Sequence, residues 1–238
     1  GFVTLNDLSQ LEDAVVRAVA AARLAAKALP GKSMLAPVKP VRLEVKAAPI
    51  TDPRSVSLEE KLKLFSGYND RALAAPGVTS SAVYYFDSFS HILFGNSEGA
   101  LIDRERLDMA CAVRPIARKA GDARYASVSR GSTNDFNIVR GLEADVDKAA
   151  RDAVAKLDAP VIQAGTYTVV CDPHLAGVFV HEAFGHLSEG DNIADDPKMQ
   201  EILTLGRTFG GSFLNIYDTG LDVGLRGHVP VDDEGLIV

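Results

Sequence analysis

The sequence predicts an α+β protein: antiparallel β-sheets flanked by helices, with a histidine-bearing helix packed on a sheet. Two observations carry the class. Apolar residues recur at every second position through 78–130, with no helix-length insertion, and several other segments repeat at the helical period behind N-cap residues. At 238 residues and 47% hydrophobic, the chain is long enough and apolar enough for one large core or two modest ones.

Ser9-Gln10-Leu11-Glu12 reads as a capping box, a hydroxyl followed three residues later by a carboxylate. It opens a helix with Leu11, Val15, Val19, Ala22 and Ala26 on one face, and Pro30-Gly31 stops it. Residues 30–56 hold five prolines, and Val41, Leu43 and Val45 alternate there as a short strand. A second capping box, Ser57 to Glu60, starts a helix through Leu73 that Ala75-Pro76-Gly77 ends. Strands follow at 78–87, 88–94, 100–103, 107–118 and 125–130, with a turn at Gly95-Asn96-Ser97-Glu98-Gly99. Without crossovers they form an antiparallel meander. Residues 142–157 make a charged amphipathic helix, and 166–171 a short buried strand. Asp172-Pro173 is a cap followed by the residue best suited to the first helical position. The helix it opens carries Leu175, Val178 and Phe179, so it should lie buried against the sheet. A helix over 195–205, a strand within 209–218 and an apolar strand-like Leu236-Ile237-Val238 complete the chain. The expected division is an N-terminal α/β domain over 1–160 and the start of a catalytic domain over 161–238.

The bulk numbers exclude several functions. A net charge of −7 argues against general nucleic-acid binding. No apolar run is long enough to span a bilayer, and no secretory signal opens the sequence. Cys111 and Cys171 form no CxxC pair and fit buried packing residues in a reducing, cytoplasmic setting; in the alternative, Cys171 reaches the histidine site as a thiolate.

The chemistry concentrates in His181-Glu182-Ala183-Phe184-Gly185-His186. Two imidazoles and a carboxylate are what a hydrolytic metal site needs, with ring nitrogens for the ion and a base for its water. The histidines stand at i and i+5. On a regular α-helix that separates them by roughly 140°, too far to share an ion. A π-type turn reduces the separation to roughly 50°, and Gly185 supplies backbone freedom for it. A distorted or terminating helix is therefore expected here. The same residues also fit a packed core histidine at 181, a solvated Glu182 and a His186 favoured by the helix dipole.

The string His181-Glu182-Ala183-Phe184-Gly185-His186-Leu187-Ser188-Glu189-Gly190-Asp191 resembles the signature of the TldD branch of the TldD/PmbA metallopeptidases. Gly224-Leu225-Arg226-Gly227 with Asp232-Asp233-Glu234-Gly235, Asn96-Ser97-Glu98-Gly99, and the opening Gly1-Phe2-Val3-Thr4-Leu5-Asn6-Asp7-Leu8-Ser9 resemble further stretches of that family. The resemblance implies a cytosolic zinc peptidase acting on unfolded or extended peptides. His181 and His186 would bind zinc, and Glu182 would activate water. The partner would be a TldE/PmbA-type subunit lacking the histidine motif, or a second copy. The family's third ligand, a C-terminal cysteine, is neither Cys111 nor Cys171. The resemblance thus implies a chain truncated at both ends, weak in zinc binding and inactive alone. The rival expectation is a non-catalytic scaffold or partner subunit.

Among other polar residues, His174 reads as an exposed N-terminal residue of the motif helix or a support to the site. Glu189 or Asp191, or water, would have to fill the place of the missing third ligand; otherwise the two acids read as helix-exit groups or supports to the metal ligands. His228 reads as a surface residue or a substrate contact, Arg130-Gly131-Ser132-Thr133-Asn134-Asp135 as a loop or the wall of a peptide cleft, and His91 is assigned nothing. An extended peptide is expected to add as a strand to an open sheet edge.

Overall fold

A computed structural model describes residues 1–28, 37–194 and 196–238. It divides into two compact units, Gly1–Pro40 and Val41–Val238. In the first, a short 3-10 turn, Leu8–Gln10, leads into helix α1, Leu11–Ala26, which buries Ala14. The expected capping box does not form. The Asp7 carboxylate accepts the Ser9 amide at 2.9 Å, while Gln10 precedes α1 without a side-chain cap. Asp7 closes a local turn two residues ahead of the hydroxyl and starts the helical winding there. The expected stop at Pro30-Gly31 lies outside the described residues.

Among the described residues the second unit is built on one sheet whose other strands all pair with one long central strand. β2 (Val78–Gly95) and β3 (Leu101–Lys119) form a long antiparallel hairpin with Tyr85 opposite Cys111 and Leu93 opposite Asp103. Its turn is set by Asn96, whose side-chain oxygen accepts the amides of Glu98 and Ala100 at 3.1 and 3.0 Å. Gly99, at φ 101°, takes the left-handed conformation the turn requires. On its other side β3 pairs in turn with β1 (Arg42–Val45), β5 (Val128–Ser132) and β4 (Asp122–Tyr125). Pro115 stands where β3 passes from β5 to β4, the place in a central strand where a missing amide costs no ladder bond on that side. The segments expected at 100–103 and 107–118 are one continuous strand, and β1 runs parallel to β3, which departs from a pure meander.

Helices α2 (Leu58–Ala74) and α3 (Glu143–Ala155) cover one face. The Ser57 hydroxyl accepts the Glu60 amide at 3.1 Å, as the second capping box predicts. Period-two alternation puts Met109, Cys111 and Val113 on that face, where they meet Phe65, Tyr68, Ala72, Phe136, Val139 and Val146. Tyr85 stacks on Phe65 with ring centroids 4.6 Å apart. Tyr68, 1% exposed, donates from its hydroxyl to the Val139 carbonyl at 2.9 Å and accepts the Leu142 amide at 3.3 Å.

The opposite face carries Arg104, Arg106 and Asp108, and these hold the segment 224–231. Arg104 donates to the Val231 carbonyl at 2.8 Å, Arg106 to the carbonyls of Arg226 and His228, and Arg226 makes a forked pair with Asp108 at 2.7 and 3.0 Å. The Ser132 hydroxyl and Thr133 amide both donate to Gly224.

Beyond α3 several expectations fail. Residues 166–171 and 209–218 form no strand, and 236–238 contributes only a single bridge, Val231 to Ile237. Cys171 is exposed, whereas Cys111 is buried as expected. Helix α4 (Pro173–Val180) buries no residue; Leu175, Val178 and Phe179 are 49, 45 and 64% exposed, so the expected packing of the motif helix on the sheet is not found among the described residues. Alternation marks two faces but supplies no hydrogen-bonding neighbour, and an apolar stripe says nothing about what it meets. The helix expected over 195–205 is the shorter α6 (Pro197–Ile202), preceded by α5 (Gly190–Ala194); residue 195 lies outside the described residues.

Tyr68→Phe orphans a buried carbonyl and amide, so it should cost about 1–3 kcal/mol, read as a lower urea midpoint with an unchanged m-value. The Arg226 guanidinium holds the Asp108 carboxyl below its usual range. A depressed carboxylate contributes stability that is whole above its unfolded pKa, about 3.9, and is lost as pH falls through the lowered value. The protection factor of the Thr133 amide should therefore fall over that acid window, and Asp108→Asn should abolish that part of the dependence.

Candidate metal centre

Asp172 begins the site's scaffold. Its carboxylate accepts the Leu175 amide at 2.8 Å, and Pro173 fills the first helical position. After Val180 the helix widens. The His186 amide bonds to the His181 carbonyl five residues back, and His181–Gly185 form a π-helical turn. This is the distortion the i, i+5 spacing demands. A 3-10 turn, His186–Ser188, follows, and the chain leaves helical geometry at Glu189, with ψ 133°.

The widened turn brings the two rings to one side, with centroids 4.3 Å apart and planes at 61°. One donor atom each from His181, Glu182 and His186 lie within 4.8 Å of one another, all on exposed residues. Glu182 Oε2 stands 3.7 Å from His186 Nε2. His186 Nδ1 is 2.8 Å from Glu189 Oε1. A carboxylate on Nδ1 fixes the tautomer whose Nε2 lone pair is free for a metal. Glu189 is itself held, because the Asn192 amide donates to its Oε2 at 3.1 Å and to the His186 carbonyl at 2.8 Å. Two imidazoles with a free lone pair and an adjacent carboxylate match the donor chemistry of a divalent transition metal.

A cleft of about 600 Å3 opens beside His181, lined by Val180 and Phe184 on one side and by Leu214, Ile216 and Tyr217 on the other. Phe184 also meets the ring of Phe209 edge-on at 5.3 Å.

Other sequence candidates lie apart from this group. Cys171 and Asp191 contribute no donor atom to it, and His174 is exposed. His91 pairs with Asp103 at 2.7 Å. His228 gives its carbonyl to Arg106, and its Nδ1 is buried without a partner among the described residues. In the 130–135 loop, Ser132 and Thr133 clamp Gly224, and Arg130 pairs with Asp145 at 2.6 Å. Sequence reasoning missed Asn192 and the 214–218 wall. Asn192 lies one turn beyond Glu189, a spacing that lets two side chains meet, and that was its only signal. The wall carried none.

A π-distorted helix presenting two imidazoles and a carboxylate beside a cleft, on an α+β scaffold, defines a candidate metal-dependent hydrolase. Comparison with known proteins narrows the class. The PmbA/TldA metallopeptidase central domain matches residues 51–158, and the PmbA/TldA metallopeptidase C-terminal domain matches 164–238. "Metalloprotease slr0863" of Synechocystis is 37% identical over 239 aligned residues, covering 99% of this chain and 51% of its own length. "Metalloprotease MJ0996" of Methanocaldococcus jannaschii is 27% identical over 99% of this chain and 52% of its own length. A "Zinc metalloprotease TldD homolog" of Saccharolobus solfataricus is 28% identical over 68% of this chain and 36% of its own. The chain belongs to the PmbA/TldA metallopeptidase family. It spans about half the length of the first two relatives.

Asp172→Ala should remove about 1 kcal/mol of N-cap stabilisation. Amide exchange at Leu175, whose donor loses its acceptor, should speed up, while exchange within α3 stays unchanged.

Proposed function

We propose that this chain carries the metal-binding motif of a zinc-dependent peptidase that hydrolyses unfolded or extended peptides. The observation that supports it is the π turn, which aims the rings of His181 and His186 to the side where Glu182 also stands. Zinc suits imidazole donors, and one relative is named a zinc metalloprotease.

In this proposal His181 and His186 present ring nitrogens to the ion, which when bound supplies Lewis acidity to the scissile carbonyl. Glu182 takes the proton of the attacking water and passes it to the leaving amine. Glu189, held by Asn192, keeps His186 in the tautomer with Nε2 free. The cleft beside His181, lined largely by apolar side chains, would receive the peptide with few side-chain demands. The resemblance to the TldD branch implies a third ligand, a cysteine of the family's C-terminal region; among the described residues no other donor joins the group. The functional assembly pairs this chain with a TldE/PmbA-like subunit or a second copy, in the cytoplasm, where two unbridged cysteines are at home. The catalytic part begins near residue 161; the two family profiles abut between 158 and 164. No helix of the described residues is long and apolar enough to cross a membrane.

The decisive experiment combines metal content with turnover in a protein spanning the full length of the relatives. His181→Ala should lose its zinc. Glu182→Gln should keep it and lose about 10²–10⁴-fold in peptide hydrolysis. A protein without zinc in either form would be a scaffold, and the proposal would be wrong. Glu189→Ala should weaken zinc affinity by about 10–100-fold, read by competition with a chromophoric chelator, with the helical circular dichroism unchanged.

A further inference from the structure

Strand β2 runs for 18 residues and, among the described residues, pairs with β3 alone. Its outer edge is a row of free amides and carbonyls. Sheet edges are normally guarded by lysine, proline or a bulge. From Ser80 to Gly95 this edge has none of them; the one irregularity in its pairing lies at Val78/Ser80. Along it stand one carboxylate, Asp87, and one imidazole, His91.

Those two stand symmetrically about Phe89, within Phe86-Asp87-Ser88-Phe89-Ser90-His91-Ile92. Laid antiparallel on itself with a two-fold axis through Phe89, the segment pairs Ser88 with Ser90, Phe86 with Ile92 and Asp87 with His91. Each pairing occurs twice. Opposite residues in an antiparallel ladder point to the same face, so carboxylate meets imidazole and aromatic meets β-branched side chain, combinations that stabilise sheets. One residue of slip would instead turn the apolar set to the wrong face.

We propose that this edge is the interface for a second copy of the chain, joining two sheets into one across the β2 strands. The next pairs outward fit the surroundings. Tyr85 faces Leu93 of the partner subunit. Leu93 is 71% exposed, and beside Tyr85 an open groove of about 510 Å3 runs between β2 and α2, lined by Leu58, Leu62 and Phe65. Leu58 and Leu62 are exposed at its mouth. Asp87 already holds Lys61 at 2.7 Å, and His91 already holds Asp103 at 2.7 Å. Pairing therefore extends each contact into a row, lysine, carboxylate, imidazole, carboxylate, instead of breaking it. From residue 83 to 95 the joined ladder is about 44 Å long at 3.4 Å per residue. The interface needs neither metal nor turnover, so its test stands apart from the peptidase proposal.

The test uses the 238-residue chain with Cys171→Ser, to remove the exposed thiol. Sedimentation equilibrium should show a dimer. Adding Phe89→Cys should give a rapid intermolecular disulfide under mild oxidant, because Cα atoms of directly opposite residues stand at about 4.5–5.5 Å, within disulfide range. Tyr84→Cys, ten positions out of register with its own copy, should not. Ser88→Lys with Ser90→Lys sets like charges opposite each other on exposed positions. It should raise the dimer dissociation constant at least ~10-fold, while the thermal midpoint at monomeric concentration stays unchanged. A monomer up to about 1 mM, equal cross-linking at 84 and 89, or a dimer indifferent to the double lysine variant would each overturn the proposal. So would protection of the β2 amides by an added extended peptide but not by rising protein concentration.

Discussion

Strand β3 is the constraint on which the second unit rests. Every ladder passes through it, β2 along one side and β1, β5 and β4 in turn along the other. A strand committed on both sides is satisfied only if each residue's amide and carbonyl find a neighbour. The chain meets this by changing partner along a single 19-residue strand and by placing Pro115 at one of the changes. The same commitment sets the sides of the molecule. Met109, Cys111 and Val113 must face α2 and α3, and Arg104, Arg106 and Asp108 must face away from them.

The two faces are held by different physics. Beneath α2 and α3 the sheet is closed by apolar contact, aromatic stacking and one doubly used tyrosine hydroxyl. On the other face, arginines take backbone carbonyls and a carboxylate. Charge-assisted bonds of this kind are directional and stronger than neutral ones, and they order a segment that has almost no regular structure of its own. The 224–231 segment is thus tied down chiefly by its carbonyls, with Val231 buried at its end. Arg226 adds a side-chain tie, because its own guanidinium completes the fork on Asp108.

What the sequence disclosed depended on how local the cause was. The Ser57 cap needs only a hydroxyl and the amide three residues on, and both were visible. The Ser9 cap failed because Asp7, equally local, competes for the same start. The π turn was legible for a stronger reason: histidines five apart cannot share an ion on regular winding, so the spacing itself called for the distortion. The parallel pairing of β1 with β3 was not legible, since nothing between Val45 and Leu101 records which neighbour β1 will choose. Nor was the surroundings of α4, because Leu175, Val178 and Phe179 define a stripe without naming its contact. The site divided in the same way. His181, Glu182 and His186 stand close together in sequence, while Asn192 and the 214–218 wall reach them only through folding.

The hairpin turn has a reach well beyond its five residues. Asn96 bonds two amides across the loop and so fixes how β2 and β3 meet. Shortening or lengthening that loop by one position would swap inside for outside along the longest stretch of the sheet. Strand β3 is held on its other side by β1, β5 and β4, so β2 would be the strand to slip, and Tyr85, now stacked on Phe65, would turn away from the helices. A single amide side chain, more than eighty positions ahead of the histidines, thereby helps decide which side chains of β2 meet the helices.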